Sequence, residues 1–308
     1  MSAISRGAPN DRQTAARIAF PPLASRHAVS HFRRLCHIRH ASGRSSRRHA
    51  RAARTRSMPL VLHHAWDAVC PIKVRMGLAE KGLDWKSVPY SIAAFEHLGP
   101  DYLAINPNGT VPTLVDGERV VFESSVINEY LDDIGPGPPL KPAEPGERAE
   151  MRMWVKFQDD VLHPATRPHT FSLILLHPES PMARLSDDEM EARLARHPDP
   201  NRLAMFRQMG RTPAPAAVLE QAEAALGRAL DRLERGLADG RPWLAGDAFS
   251  LADVAMTGVV DRLHYCGLSR LWEARPGTGA WVERLQARPA YAAAVPALSQ
   301  RMPGPLTA

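Results

Sequence analysis

The chain has 308 residues, enough for two domains with a sizeable buried core, and 44% of them are apolar, which argues against disorder of the whole chain. No run approaches the ~18 consecutive apolar residues of a membrane span, and no internal repeat is visible. The net charge of +6 misleads: residues 1–57 hold 13 Arg and a single acid, Asp11, for +12, which leaves −6 on the remainder. A mildly acidic body is poorly suited to nucleic acid, and neither nucleic acid nor membrane is expected as a partner.

The segment 1–57 is rich in Arg, Ser, Ala and His and poor in residues to bury, which predicts disorder. Three origins stay open for it. It is an over-long translation start, since Met58 is followed at once by the strand-like PLVLHH; or an Arg-rich, acid-poor transit peptide; or a basic arm. CHIRH, residues 36–40, carries metal-ligand types without a second cluster, so no metal is expected. Cys36, Cys70 and Cys266 are too few and too scattered for a disulfide framework, which fits a reducing, cytoplasmic setting.

From Met58 strands and helices alternate. LVLHH reads as a strand, and PIKVRMGLAEKGL as a helix with Pro71 in its first turn and Gly82 closing it. DWKSVPY supplies a second strand, and Phe95 to Leu103 a looser helix. VPTLVDGERVVFE gives two strands joined at Asp116-Gly117, a strong hairpin signal. A helix follows from Ser124, with Val126, Ile127, Tyr130 and Leu131 on one face. The order βαβαββα, over residues 58–133, allows a mixed four-stranded sheet with helices on both faces.

Residues 134–146, IGPGPPLKPAEPG, are too dense in Pro and Gly to continue either element and read as a linker. Beyond it, residues 147–300 are helical in period: Met151, Trp154, Val155, Gln158, Val161 and Leu162 share one face, and Leu226, Leu230, Leu233 and Leu237 another. The fold class is therefore α/β followed by an all-α helical domain. A charged insertion at about 178–215 contains SDDEM, a capping-box start, and SLADV is a second one, formed by Ser250 and Asp253 and stapled by Phe249 and Val254.

The ordered set of NPNGTVPTLV, FESSVINEYLDD, a Pro-rich linker and an all-α domain carrying SLADV resembles the cytosolic glutathione transferases, from Pro59 to about Val295. Within them, LKPAEPGERAEMRMWVKF, LSDDEMEARL and the insertion up to GRTPAP look like the bacterial subgroup that contains the glutathione-dependent β-etherases of lignin breakdown. The resemblance implies a thioredoxin-like first domain, glutathione as co-substrate, a homodimer and a detoxifying or ether-cleaving transferase. It also implies a cis bond between Val111 and Pro112, so that the Val111 backbone pairs with the cysteinyl unit of glutathione. Glu123 and Ser124 match the family's pair at a helix N-terminus, for the ammonium and γ-glutamyl carboxylate of the tripeptide.

One departure concerns the chemistry. These enzymes need the glutathione thiol ionised near neutral pH, although a free thiol has a pKa near ~8.5. Where related sequences often read Ser-Val-Cys-Ser, this chain has Ala68, Val69, Cys70 and Pro71. The usual hydroxyl is replaced by a methyl group at Ala68, which can offer only its backbone. Cys70 is either a thiol activated at the helix N-terminus, a small packing residue, or a site of regulatory oxidation. Trp66, Asp67 and the backbone N–H groups of Ala68 to Cys70 are other candidate donors or neighbours, with Asp67 opposing a thiolate unless it faces away or holds the tripeptide's ammonium.

The second substrate, small, hydrophobic and aromatic in the family's habit, is expected between the domains, with Trp66, Trp154, Phe157, His163 and His169 as candidates and Arg167 adding charge, each of them otherwise a core or surface residue. His63 and His64 end the first strand and are no metal site. The function expected is attack of glutathione thiolate on an electrophilic carbon. The alternatives are a non-catalytic glutathione-binding or interaction protein and a thiol transferase acting through Cys70.

Overall fold

The computed structural model describes residues 59–304; the Arg-rich segment 1–57 and CHIRH lie outside them. Four strands, β1 (Leu60–His64), β2 (Trp85–Pro89), β3 (Thr113–Asp116) and β4 (Arg119–Phe122), form one sheet in the order β2-β1-β3-β4. β1 runs parallel to β2, with Leu60 opposite Trp85, and antiparallel to β3, with Leu62 opposite Leu114. The β3–β4 hairpin turns at Gly117, whose φ of +62° suits a residue without Cβ.

Period two sorts the sheet's faces. Leu60, Leu62 and Leu114 pack with Val74 and Leu78 of α1 (Val69–Glu80) and with Ile127 and Leu131 of α3 (Ser124–Ile134). On the other face Tyr102, from α2 (Pro100–Ile105), lies against His63 and shares a hydrogen bond with Thr113. The single loose helix expected over Phe95 to Leu103 is two pieces, a 3-10 turn at Glu96–Leu98 and then α2. Pro100 forces the break: the residue before a proline disfavours helix, and Gly99 is extended with ψ 151°. Val126, expected inside, is exposed.

The linker ends at α4 (Pro145–Phe157), capped by the Glu144 carboxylate, which accepts from Glu147 N–H. The chain then stays helical through a π turn (Gln158–Leu162), α5 (His163–Ala165), α6 (Arg167–Thr170) and a second π turn (Phe171–Leu175). Pro164 and Pro168 lack the N–H an α-helix needs, and the widened turns flank them. The turn also rotates Val161 out to solvent, against the expected apolar face.

Next come α7 (Asp187–Leu194), α8 (Pro200–Met209), α9 (Ala216–Gly236), α10 (Leu251–Tyr265), α11 (Arg270–Glu273), α12 (Pro276–Gln286) and α13 (Pro289–Ala294). Both capping boxes form, at Ser186 with Glu189 and at Ser250 with Asp253. α1 is the keystone between the halves, because α3, α10 and α13 all pack on it besides the sheet. Every residue from Pro71 to Leu78 is consequently buried, Lys73 and Arg75 included.

Candidate functional site

The loop from Ala65 to Ala68 delivers the chain into α1, and arginines hold it. Buried Arg75 donates to the carbonyls of Ala65 (3.3 Å), Trp66 (2.7 Å) and Ala294 (2.7 Å), which fixes the loop to α1 and α13. Asp67 is committed to partners of its own. Its carboxylate takes a hydrogen bond from Arg262 at 3.1 Å and one from Met302 N–H at 3.2 Å, with Arg301 at 3.6 Å.

Ala68 is the N-cap of α1, with no side-chain cap and no acid in the first turn, so the positive end of the helix is left open. Cys70 sits in that turn, half-buried, with its Sγ 3.7 Å from His163 Nδ1. Burial by itself would push the thiol up. The charge of His163 and its hydrogen bond, helped by Lys73, outweigh burial and the opposing Asp159, and bring it down to about 7. Lys73 is itself held in a buried network, donating to Ser125 Oγ (2.7 Å), Asp159 Oδ1 (2.8 Å) and Gln158 Oε1 (3.1 Å). Cys266, by contrast, is pushed up to about 11 by burial.

A cavity of about 150 Å³ opens at this point. Ala68, Val69, Cys70 and Pro71 form one side and Gly109, Thr110 and Val111 another. The helical half closes it with His163, Thr166, Arg167 and Phe171, and the insertion adds His197, Arg202 and Phe206. Of the expected second-substrate residues only His163, with Arg167, is there. Trp154 and Phe157 are core, packed in the large apolar cluster of the helical half under the Arg232 guanidinium at 5.2 and 4.3 Å. Their period put them on an apolar face, and that face points into the bundle. Trp66 lines a neighbouring cavity with Tyr90 and Met302 and stacks on Arg75 at 4.9 Å. His169 is buried against Glu223 at 3.4 Å.

The Val111-Pro112 bond is cis, and Val111 lies on the cavity wall. Glu123 and Ser124 lie at the start of α3 and not on the cavity. Glu123 is exposed, with φ +66° and ψ 110°, a region that disfavours a side chain. No side chain caps α3 and its first turn carries no acid, so its N–H groups stand open beside buried Ser124. His63 bonds Tyr90 at 3.0 Å, and His64 bonds Ser87 at 2.8 Å and meets Arg75 at 3.2 Å, so both are committed within the fold.

This arrangement has known counterparts. The family models for the N-terminal and C-terminal domains of glutathione S-transferases match residues 69–134 and 216–284. Protein LigF of Sphingobium sp. strain SYK-6 is 32% identical over 242 residues, covering 76% of this chain and 91% of that protein. The chain belongs to the glutathione S-transferase family. Glutathione S-transferase 3 of Zea mays is 33% identical over 235 residues, 74% of this chain and 89% of its own. Among solved structures, that of the β-etherase LigF superposes on this transferase with a TM-score of 0.69 at 30% identity, covering 77% of this chain and 98% of the other.

Several cavity residues escaped the reading of the transferase's sequence. Arg202 and Phe206 belong to the insertion, which was expected only as a charged segment, although RLAMFRQM interleaves apolar and basic residues. Arg262 lies in α10 and reaches the cavity only because that helix crosses α1. Thr110 brings a hydroxyl to the cavity wall and follows Gly109 in NPNGT, so its place beside Val111 was available as a signal.

Proposed function

We propose that this glutathione transferase joins glutathione to small hydrophobic aromatic compounds, acting as a cytoplasmic homodimer. The tripeptide lies along Val111, with its cysteinyl backbone paired to that residue. Its γ-glutamyl carboxylate sits at the open N-terminus of α3, and Glu123 and Ser124 hold that end. The single observation that carries the reading is the cavity itself, which the open first turn of α1, the Val111 strand start and the helical half enclose together.

In the reaction the glutathione thiol loses its proton to solvent water, and the thiolate attacks an electrophilic carbon. A carbon–sulfur bond forms while the bond to the leaving group breaks, and that group departs with its electron pair. Likeness to the β-etherase LigF favours an aryloxide as leaving group. With methyl at Ala68, the α1 N–H groups and the Thr110 hydroxyl are the donors for the thiolate. Calorimetric titration with glutathione, and conjugation assayed with a halonitrobenzene and an aryl ether, test the reading. No saturable heat at millimolar glutathione would end it.

A second reading is favoured by the contact of Cys70 with His163. Here the Cys70 thiolate attacks a disulfide sulfur, a mixed disulfide forms and the other sulfur leaves as thiolate; a glutathione thiolate then releases Cys70 by the same exchange. Thiol exchange that survives Cys70→Ala excludes it. Dimerisation is supported by Phe122, Val126 and Met153, apolar side chains left exposed on β4, α3 and α4.

A further inference from the structure

The cavity beside Cys70 has an imbalance that thiol chemistry does not use. Three arginines line it, Arg167, Arg202 and Arg262, against one acid, Asp67. That acid is already engaged by Arg262 at 3.1 Å and Arg301 at 3.6 Å. Among the described residues Arg202 reaches only Asp199, at 3.6 Å. Arg167 is half-buried and has no hydrogen-bond or ion-pair partner among the described residues. Its guanidinium is destabilised by burial and by the like charge of Arg202.

The unmet hydrogen-bonding capacity has one sense. Arg262 is 1% exposed, and its Nε and Nη1 have no partner among the described residues. A guanidinium can only donate. Buried donors left unmet are costly, and a ligand that only accepts would satisfy them. Phe171, Phe206, Ile92 and Met205 supply an apolar wall next to these donors.

We propose that the second-substrate pocket takes an aromatic electrophile bearing a carboxylate, with Arg167 as its anchor, Arg202 as a supporting charge and the ring against Phe171 and Phe206. Arg167 lies one helical turn after His163, so the anchor and the thiol-facing histidine share a face. The site holds the ring by its acid group and presents the carbon to the sulfur. This rests on the transferase reading above. Glutathione also carries carboxylates, and the same arginine could serve its glycyl end, so the test has an arm for each source.

The experiment compares 4-chloro-3-nitrobenzoate with its methyl ester. Both undergo the same bond changes, glutathione sulfur bonding to the ring carbon while the carbon–chlorine bond breaks and chloride leaves, but the ester activates the ring more strongly, so each kcat/KM is divided by the uncatalysed rate constant of the same compound with glutathione. The wild type should show a kcat/KM, so divided, about tenfold or more higher for the carboxylate, the scale of a charge-assisted hydrogen bond, with the preference in KM for the benzoate. Arg167→Met should erase that ratio, and Arg167→Lys should restore part of it, which a merely structural role would not give. A wild type that does not prefer the carboxylate overturns the proposal. So does a rise in the KM for glutathione in Arg167→Met with the carboxylate ratio intact, which assigns the arginine to the tripeptide. Fluorescence titration with the benzoate alone reads the site without turnover: binding lost in Arg167→Met but no conjugate formed would keep the anion site and sink the transferase reading, whereas no binding by the wild type would sink the site.

Discussion

Cys70 Sγ and His163 Nδ1 stand 3.7 Å apart, although 93 residues separate them in the chain, because the first turn of α1 meets the helix that follows the π turn of Gln158–Leu162. The pair makes the thiol an acid of about neutral pKa in a position open to a ligand. The thiolate fraction, and with it the alkylation rate, should rise with pH through a midpoint near 7. His163→Ala should move that midpoint up toward the ~8.5 of a free cysteine. Iodoacetamide labelling against pH, read at the Cys70 peptide by mass spectrometry, measures it. A midpoint indifferent to His163→Ala would mean the imidazole does not act on the thiol.

Gly258 predicts how tightly that turn is pinned. A Cβ there would stand 2.1 Å from the carbonyl oxygen of Val69, one residue before Cys70, and the obstacle is backbone that cannot rotate away. Gly258→Ala should therefore displace the start of α1 from α10, with a loss of about 1–3 kcal/mol in stability. Conjugation should fall by about tenfold or more, since small misplacements at a reacting centre are expensive. Gly227→Ala is the control, because its Cβ meets only Arg275 Nη2 at 3.5 Å. Equal activity in the two variants would show that α10 does not position the turn.

Much of the fold was legible in local signals. The Asp116-Gly117 hairpin, the two capping boxes and the Leu226, Leu230, Leu233 stripe needed only neighbours in sequence, and they form. The fate of α1 was not legible, because Lys73 and Arg75 look like a solvated face until α3, α10 and α13 are packed around them and their partners arrive from Ser125, Asp159 and Ala294. The cavity suffered most. Apolar period placed Trp154 and Phe157 on a buried face, but period cannot tell a face toward a substrate from a face toward a core. Arg202 and Arg262 reach the cavity through tertiary crossings that no spacing records.

Asp253 offers a test of stability separated from the site. Its buried carboxylate accepts from Ser250 N–H (3.0 Å), Leu244 N–H (3.0 Å) and the Trp281 indole (2.9 Å), so one side chain ties the start of α10 to α12 and to the loop before it. Asp253→Ala removes the acceptor of these three donors and of the Ser250 hydroxyl, and should cost about 3 kcal/mol or more. Urea unfolding should show the lower midpoint, while glutathione affinity in the folded protein stays unchanged because none of these atoms lines the cavity. A midpoint like that of the wild type would mean that water replaces the carboxylate.

The apolar side chains exposed on β4, α3 and α4 bear on assembly. Val126 is 55% exposed and Met153 58%, and the Arg152–Glu129 pair, with both bonds at 2.8 Å, ties their two helices side by side. Phe122 continues the strip onto β4. An apolar strip over three elements is what a two-fold interface of about 800 Å² per partner would cover. The charge Met153→Glu brings would then be desolvated in the dimer and harmless in the monomer. Sedimentation equilibrium should show a dimer for the wild type and a monomer for Met153→Glu at the same concentration, with thermal unfolding of the variant becoming independent of concentration. A wild type that sediments as a monomer would leave the strip without this partner.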